Sequence, residues 1–251
     1  MNLLILSDLH IGNGDPFGTF GWSQEEFMIV LDQIVDEYSI DQVVLNGDIF
    51  ELYKYPLVQI REANGKLINY LESSGFLFIK GNHDILHPAG EDFFLTENSS
   101  GQKIYIEHGH EADFMNGTKL GRWMGRRLFS MIKRLASFDF FLKQYFRFVE
   151  YDDQIKRIPK KYNTYKYLQY ALKLLRTYDV VILGHTHKIE THHTYYLQKK
   201  KRYLNCGTCS MGRFEGIVLD TESLRYEIIK TSRKAFRHFF QPSLYSYSIP
   251  G

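Results

Sequence analysis

Four short apolar runs, Leu3–Leu6, Val43–Leu45, Phe76–Ile79 and Val180–Leu183, each stop at a polar motif. Their length and their branched side chains predict buried strands that end where the polar residues begin. Between the first two runs, Ser23 and Glu26 form a capping-box pattern, and Phe27, Val30, Leu31, Ile34, Val35 and Tyr38 recur at helical spacing. That pairing predicts a helix over 24–38 and a β-α-β start. A second helix is expected over 57–71, followed by a strand over 76–80. Beyond residue 187, Tyr195, Leu197, Tyr203, Ile217–Leu219 and Tyr226–Ile229 alternate with polar positions. This period of two predicts antiparallel strands building a second sheet. Further helices are expected over 119–135 and 164–177, the first with its apolar set opposite Arg126, Arg127, Lys133 and Arg134.

Composition changes the picture mainly in one place. The chain has 251 residues and a net charge of +2, long enough to bury a real core, and no long linker divides it. One domain over 1–251 is expected. Within it, the segment 113–178 holds 15 Lys and Arg against 5 Asp and Glu, leaving the rest acidic, near −8. The same segment is aromatic, from Trp123 to Phe138, Phe140, Phe141, Phe146 and Phe148. It reads as a helical insertion acting as a cap or lid. Its aromatics either pack on the body or, with the cations, receive an anionic substrate bearing apolar chains or an anionic membrane surface. The tail 233–251 repeats the mixture through Arg233, Lys234, Phe236, Arg237, Phe239 and Phe240. Nucleic acid would also suit such residues, but no recognisable binding module accompanies them. No apolar run approaches the roughly 20 residues that span a bilayer. The first ten residues contain Asp8 and His10, so cleaving them as a signal would remove candidate site residues. A cytoplasmic protein is expected, with peripheral contact on the inner membrane face as the extension of the lid reading.

The polar motifs are SDLH, NGD, GNHD, EHGH and GHTH, in that order. They offer Asp8, His10, Asp48, Asn82, His108, His185 and His187, oxygen and imidazole donors suited to two divalent ions. Mn heads the candidates, with Fe, Zn and Co behind it. Asp8 and His10, like His185 and His187, are two apart, a spacing that turns both side chains to one face of extended backbone. In open α/β sheets, ligands gather beyond the carboxyl ends of strands, so distant motifs can share one site.

These motifs resemble the calcineurin-like metallophosphoesterase superfamily over residues 1–112 and about 179–230. The resemblance implies an α/β fold, a four-layer α/β/β/α sandwich with a two-metal centre at one edge. It implies that Asp8, His10, Asp48 and His187 hold one ion, that Asp48, Asn82, His108 and His185 hold the other, and that Asp48 bridges them. The implied reaction is phosphoester hydrolysis by metal-activated water. His83 carries no metal in the resembled families and is placed to act on the leaving oxygen, and Glu51 lies where relatives keep a carboxylate that orients this histidine. The run GDIFELY, the insertion between the fourth and fifth motifs, and GHTHK are similar in layout to bacterial UDP-2,3-diacylglucosamine hydrolases. Many of those carry Arg where this chain has His83. The substrates to weigh are therefore a lipid-linked or nucleotide-linked phosphodiester or pyrophosphate such as UDP-2,3-diacylglucosamine, or nucleotides and nucleic acid. A phosphoesterase fold kept only as a binding scaffold predicts lost donors, whereas all seven and His83 are present.

Other conspicuous residues have blander readings. His110 is either a partner holding His108 or a packing residue. His87, His192, His193 and His238 lack ligand spacing. Cys206 and Cys209 lie in CGTC with no second pair for zinc, and free, partly buried thiols are expected.

Overall fold

The computed structural model describes residues 1–85, 87–112 and 163–240, with Gln144 and Arg147. The expected helix over 119–135, most of the cap segment and the end of the tail lie outside the described residues. The elements run β1 (Asn2–Leu6), α1 (Gln24–Glu37), β2 (Gln42–Asn46), α2 (Leu57–Ser73), β3 (Leu77–Ile79), β4 (Phe94–Glu97) and β5 (Lys103–Ile106). A 3-10 turn at His110–Ala112 follows, then α3 (Asn163–Leu174), β6 (Val180–Leu183), β7 (Ile189–Tyr196), β8 (Lys199–Cys206), β9 (Arg213–Asp220), β10 (Tyr226–Ser232) and α4 (Arg233–Phe240).

Two mixed five-stranded sheets form, in the orders β10-β9-β1-β2-β3 and β4-β5-β6-β8-β7. Continuous apolar runs are needed because both faces of the central strands are covered. On β1, Leu3 and Ile5 face the second sheet and pack with Val44, Ile79, Ile104, Ile106, Val180 and Ile182. Leu4 and Leu6 face the other way, onto Phe27, Val30 and Leu31 of α1 and Ile60, Leu67 and Ile68 of α2. The outer face of the second sheet, Val181, Leu183 and Tyr203, is covered by Ala171 of α3 and by Leu175. Helix, sheet, sheet, helix is the expected α/β sandwich.

Local signals explain the helices. Ser23 Oγ accepts from the Glu26 amide at 3.2 Å and Glu26 Oε2 accepts from the Ser23 amide at 3.3 Å, a complete capping box on α1. Helix α2 kinks at Asn64 (φ −131°, ψ 35°). There Asn64 Nδ2 donates to Ile60 O at 3.1 Å and to Gly12 O at 2.6 Å, so the kink ties the helix to the loop after β1.

Two strand expectations need correction. Only β7 and β8 join the second sheet; β9 and β10 complete the first, with β9 antiparallel to β1 through Leu4↔Val218 and Ile5↔Ile217. Alternation identifies a strand but not its sheet, and here β1 had an open edge that β9 closes. Leu197 is not a strand position: with Gln198 it forms the β7–β8 turn, at φ 49° and 64°, and is 79% exposed. Strands β4 and β5 are absent from the sequence expectations because four residues each give too short a run for their alternation to be decisive.

Candidate metal centre

The motif loops leave the carboxyl ends of β1, β2, β3 and β6 and the end of β5, and meet at one edge of the sandwich. Their backbone is not the extended one expected from the two-residue spacing. Asp8, His10, Asp48, His185 and His187 all have positive φ, between 52° and 67°. Left-handed backbone at non-glycine residues costs about 1 kcal/mol or more each and persists only where surrounding contacts hold it. Here the contacts are visible. Asp8 N donates to Gly47 O at 3.0 Å and His10 N to Asp48 O at 2.9 Å, which laces the first two loops together. His185 N donates to Asp8 Oδ2 at 3.0 Å, lacing the first to the fifth.

Glycines make the approach feasible. A Cβ at Gly47 would sit 2.5 Å from the His108 ring, one at Gly81 would fall on Asp48, and one at Gly184 on Ser7 Oγ. Larger residues at these three positions would displace candidate donors directly.

Among the described residues, three groups place candidate ligand atoms within 4.8 Å of one another: Asp8, His10 and His187; Asp48, His108 and His185; and His10, Asp48 and His83. His187 Nε2 lies 3.1 Å from Asp8 Oδ1, His108 Nε2 lies 3.2 Å from Asp48 Oδ2, and the Nε2 atoms of His10 and His187 are 3.2 Å apart. The group of His10, Asp48 and His83 shares His10 with the first group and Asp48 with the other, so it joins the two. Asn82 is 4% exposed. Asp8 Oδ1, Asn82 Oδ1 and His108 Nε2 are buried without a hydrogen-bond partner. Buried oxygens and an imidazole nitrogen left open at one point are what a cation would satisfy, so the donor set fits divalent metal ions. The local field agrees. Burial would lower His108, but Asp48 and Asp8 outweigh it and raise the imidazole to about 10. A second positive charge would find the same carboxylates.

Glu51 is not a solvated loop carboxylate. It is 3% exposed, its Oε1 lies 2.5 Å from His83 Nδ1, and its Oε2 lies 3.2 Å from His10 Nδ1 and 3.4 Å from Lys54 Nζ. Burial would lower His83, yet the Glu51 and Asp48 carboxylates win and hold it above its usual value. With Nδ1 turned to Glu51, Nε2 is the ring atom left for chemistry; it lies 3.9 Å from Asp48 Oδ2.

Several supporting residues escaped the sequence reading. Asp84, the last residue of GNHD, accepts four backbone N–H groups: Asp48 at 3.2 Å and Gly81 at 2.7 Å on Oδ1, Ile49 at 2.6 Å and Phe50 at 3.3 Å on Oδ2. Burial and the Asp48 charge push it up to about 6, while the Gly81 and Ile49 amides pull it down. Asn46 O lies 2.8 Å from His108 Nδ1, and Asn46 Nδ2 donates to Glu107 O at 3.0 Å. The group holding His108 is therefore Asn46, not His110, whose ring is 5.7 Å away. Asn205 Nδ2 donates to Gly184 O at 2.7 Å, and Thr208 Oγ1 donates to Asp8 O at 2.9 Å. The available clue was a polar residue near the end of a buried run, Asn46 closing β2 and Asn205 in β8. CGTC thus belongs to a loop that supports Asp8, and its free thiols are fully rather than partly buried. His87 is a packing residue, stacked on Phe50 at 5.0 Å and on Phe78 at 5.3 Å. His192 stacks on Tyr203 at 5.5 Å, and His193 lies 3.2 Å from the Tyr226 hydroxyl.

The calcineurin-like phosphoesterase family model matches residues 1–189. No curated protein matches. Solved structures match over most of the chain at low identity. An archaeal phosphodiesterase is 18% identical, with 92% of this chain and 100% of that one covered and a TM-score of 0.43. Vps29 of Entamoeba histolytica, complexed with zinc, is 17% identical over 92% and 99%, with a TM-score of 0.42. A dimetal phosphatase of Danio rerio is 11% identical over 92% and 99%, with a TM-score of 0.45.

Proposed function

The chain belongs to the calcineurin-like phosphoesterase family, a family of metal-dependent phosphoester hydrolases, and from that premise we propose how its site works. Asp8, His10, Asp48 and His187 would hold one ion and Asp48, Asn82, His108 and His185 the other, Asp48 being common to both sets. The observation that carries this reading is the convergence of Asp8, His10, Asp48, His108, His185 and His187 into groups joined by Asp48 and His10, with Asp8 Oδ1, Asn82 Oδ1 and His108 Nε2 buried and left open. Divalent ions bound there would lower the pKa of coordinated water and withdraw charge from a phosphoryl group.

The chain's own residues do the rest. Glu51 accepts from His83 Nδ1–H, which fixes the ring and its tautomer and favours the imidazolium. His83 then donates its Nε2 proton to the departing oxygen, or stabilises charge growing there. Asp84 and Asn46 act through others: the first keeps the Asp48 loop in its left-handed form, the second keeps His108 Nδ1 engaged so that Nε2 faces the site. A binding scaffold would have no use for the Glu51–His83 pair.

The substrate we favour is a lipid-linked or nucleotide-linked phosphodiester or pyrophosphate, UDP-2,3-diacylglucosamine being the specific candidate from motif layout. The basic, aromatic composition of 113–178 supports an anionic substrate with apolar chains. Manganese is the ion to try first. No helix among the described residues is long and apolar enough to cross a membrane. The test is manganese-loaded hydrolysis of UDP-2,3-diacylglucosamine, bis(p-nitrophenyl) phosphate and p-nitrophenyl phosphate, with Asp48→Ala as blank. Preference for the lipid nucleotide supports the full proposal. Turnover of the small esters alone retains the mechanism and rejects the substrate. No turnover with bound metal rejects both.

A further inference from the structure

Glu107 precedes His108 and continues the alternation of β5, in which Ile104 and Ile106 enter the core between the sheets. Tyr105 and Glu107 therefore belong to the outer face of the second sheet. The Glu107 carboxylate is 7% exposed. Its Oε2 accepts from the Tyr105 hydroxyl at 2.8 Å, and the Tyr170 hydroxyl of α3 also lies against the group. Its Oε1 has no hydrogen-bond partner. The same residue lines a pocket of about 170 Å³ with Lys80, Asp92, His108, His110 and Glu111, adjoining the candidate metal centre on its His108 side.

An acceptor withdrawn from water without a partner is costly, and on a pocket wall it selects for an entrant that brings a donor. Charge narrows the class. Among the described residues of the wall, Asp92, Glu107 and Glu111 stand against one formal cation, Lys80, whose Nζ already lies 3.8 Å from Asp92. The described wall therefore favours an uncharged group over a second phosphate. The wall mixes acceptors with the Lys80 and imidazole donors, which suits a hydroxyl, able to give and take hydrogen bonds, better than an ammonium.

We propose that this pocket receives the ribosyl group of a nucleotide phosphoester, and that Glu107 Oε1 accepts from one of its hydroxyls. Glu107 is then a specificity-determining residue for the hydrolase proposed above, on which this inference rests.

The test compares the p-nitrophenyl esters of uridine 5′-phosphate and 2′,3′-dideoxyuridine 5′-phosphate on the manganese-loaded full chain. The two share a leaving group and differ only in hydroxyls. The expected kcat/KM ratio is roughly 10- to 100-fold in favour of uridine, the range for a hydrogen bond to a charged acceptor. Glu107→Leu should bring the ratio close to one and Glu107→Gln, which keeps an acceptor, should restore part of it. A ratio within one protein does not depend on the folded fraction. Equal hydrolysis of both esters by the unmutated chain, or an unchanged ratio in Glu107→Leu, overturns the proposal while leaving the hydrolase reading intact. If neither ester nor bis(p-nitrophenyl) phosphate is cleaved, the hydrolase reading fails and this one falls with it.

Discussion

His83 and Asp84 are neighbours in one motif with separable duties. In the proposed mechanism His83→Asn removes a proton donor, so kcat should fall about 100-fold or more; metal content by elemental analysis should hardly move. Asp84→Asn should do the reverse. It would turn an amide nitrogen toward two of the four backbone donors now accepted by the carboxylate. Unpaired buried donors cost about 1–3 kcal/mol each, so a loss of roughly 3 kcal/mol is expected in urea unfolding, with weaker metal retention. Unchanged stability in Asp84→Asn would deny it the role of loop staple. The contrast also explains what was legible in the sequence. Asp8, His10, Asp48, Asn82 and the three motif histidines announce themselves because side chains are their chemistry. Asp84, Asn46 and Asn205 work on backbone groups of other segments, and no spacing records which backbone will be near.

Helices α1 and α4 meet through Glu26, which serves the capping box and also lies 2.5 Å from both Arg233 Nε and Arg237 Nε. Burial would raise this carboxyl, but Arg237, Ser23 and Arg233 together lower it to about 2. A depressed folded pKa means the contribution is complete above the unfolded value near 4.5 and is lost as pH falls toward 2. Glu26→Gln should therefore be less stable at pH 7 by roughly 1 kcal/mol, the arginines being partly solvated, and the gap should close in thermal melts between pH 4.5 and 2. A gap that persists at pH 2 would assign it to packing. At this scale the reading of the sequence succeeded where patterns are local. The cap and face of α1, and the runs of β1, β2 and β6, fold as their periodicity requires. The sheet membership of β9 and β10 was not legible, since β9 pairs with β1 across more than two hundred residues.

Over the whole molecule, five loops depend on one set of ions in the proposed reading, so metal removal should lower Tm and abolish hydrolysis together. Stability should return with added manganese in proportion to the logarithm of its concentration. A Tm indifferent to chelator would leave the loops held by protein contacts alone. Deletion of 113–178 should fail for another reason: α3 and Leu175 lie inside that span and cover Val181, Leu183 and Tyr203. The shortened chain should bind hydrophobic dye and aggregate, while a deletion ending at residue 162 should keep that layer. Finally, the contacts that seat Asp8 come from the far end of the sequence. Cys209 N donates to Ser7 O at 3.0 Å, Thr208 holds Asp8 O, and β9 flanks β1. During synthesis the first motif waits for Thr208 and the residues after it, which follow Asp8 by 200 residues. A growing polypeptide halted just before residue 208 has all seven donors but no finished cradle, so it should neither trap metal nor cleave phosphoesters, and hydrolysis begins only once Thr208, Cys209 and β9 are in place.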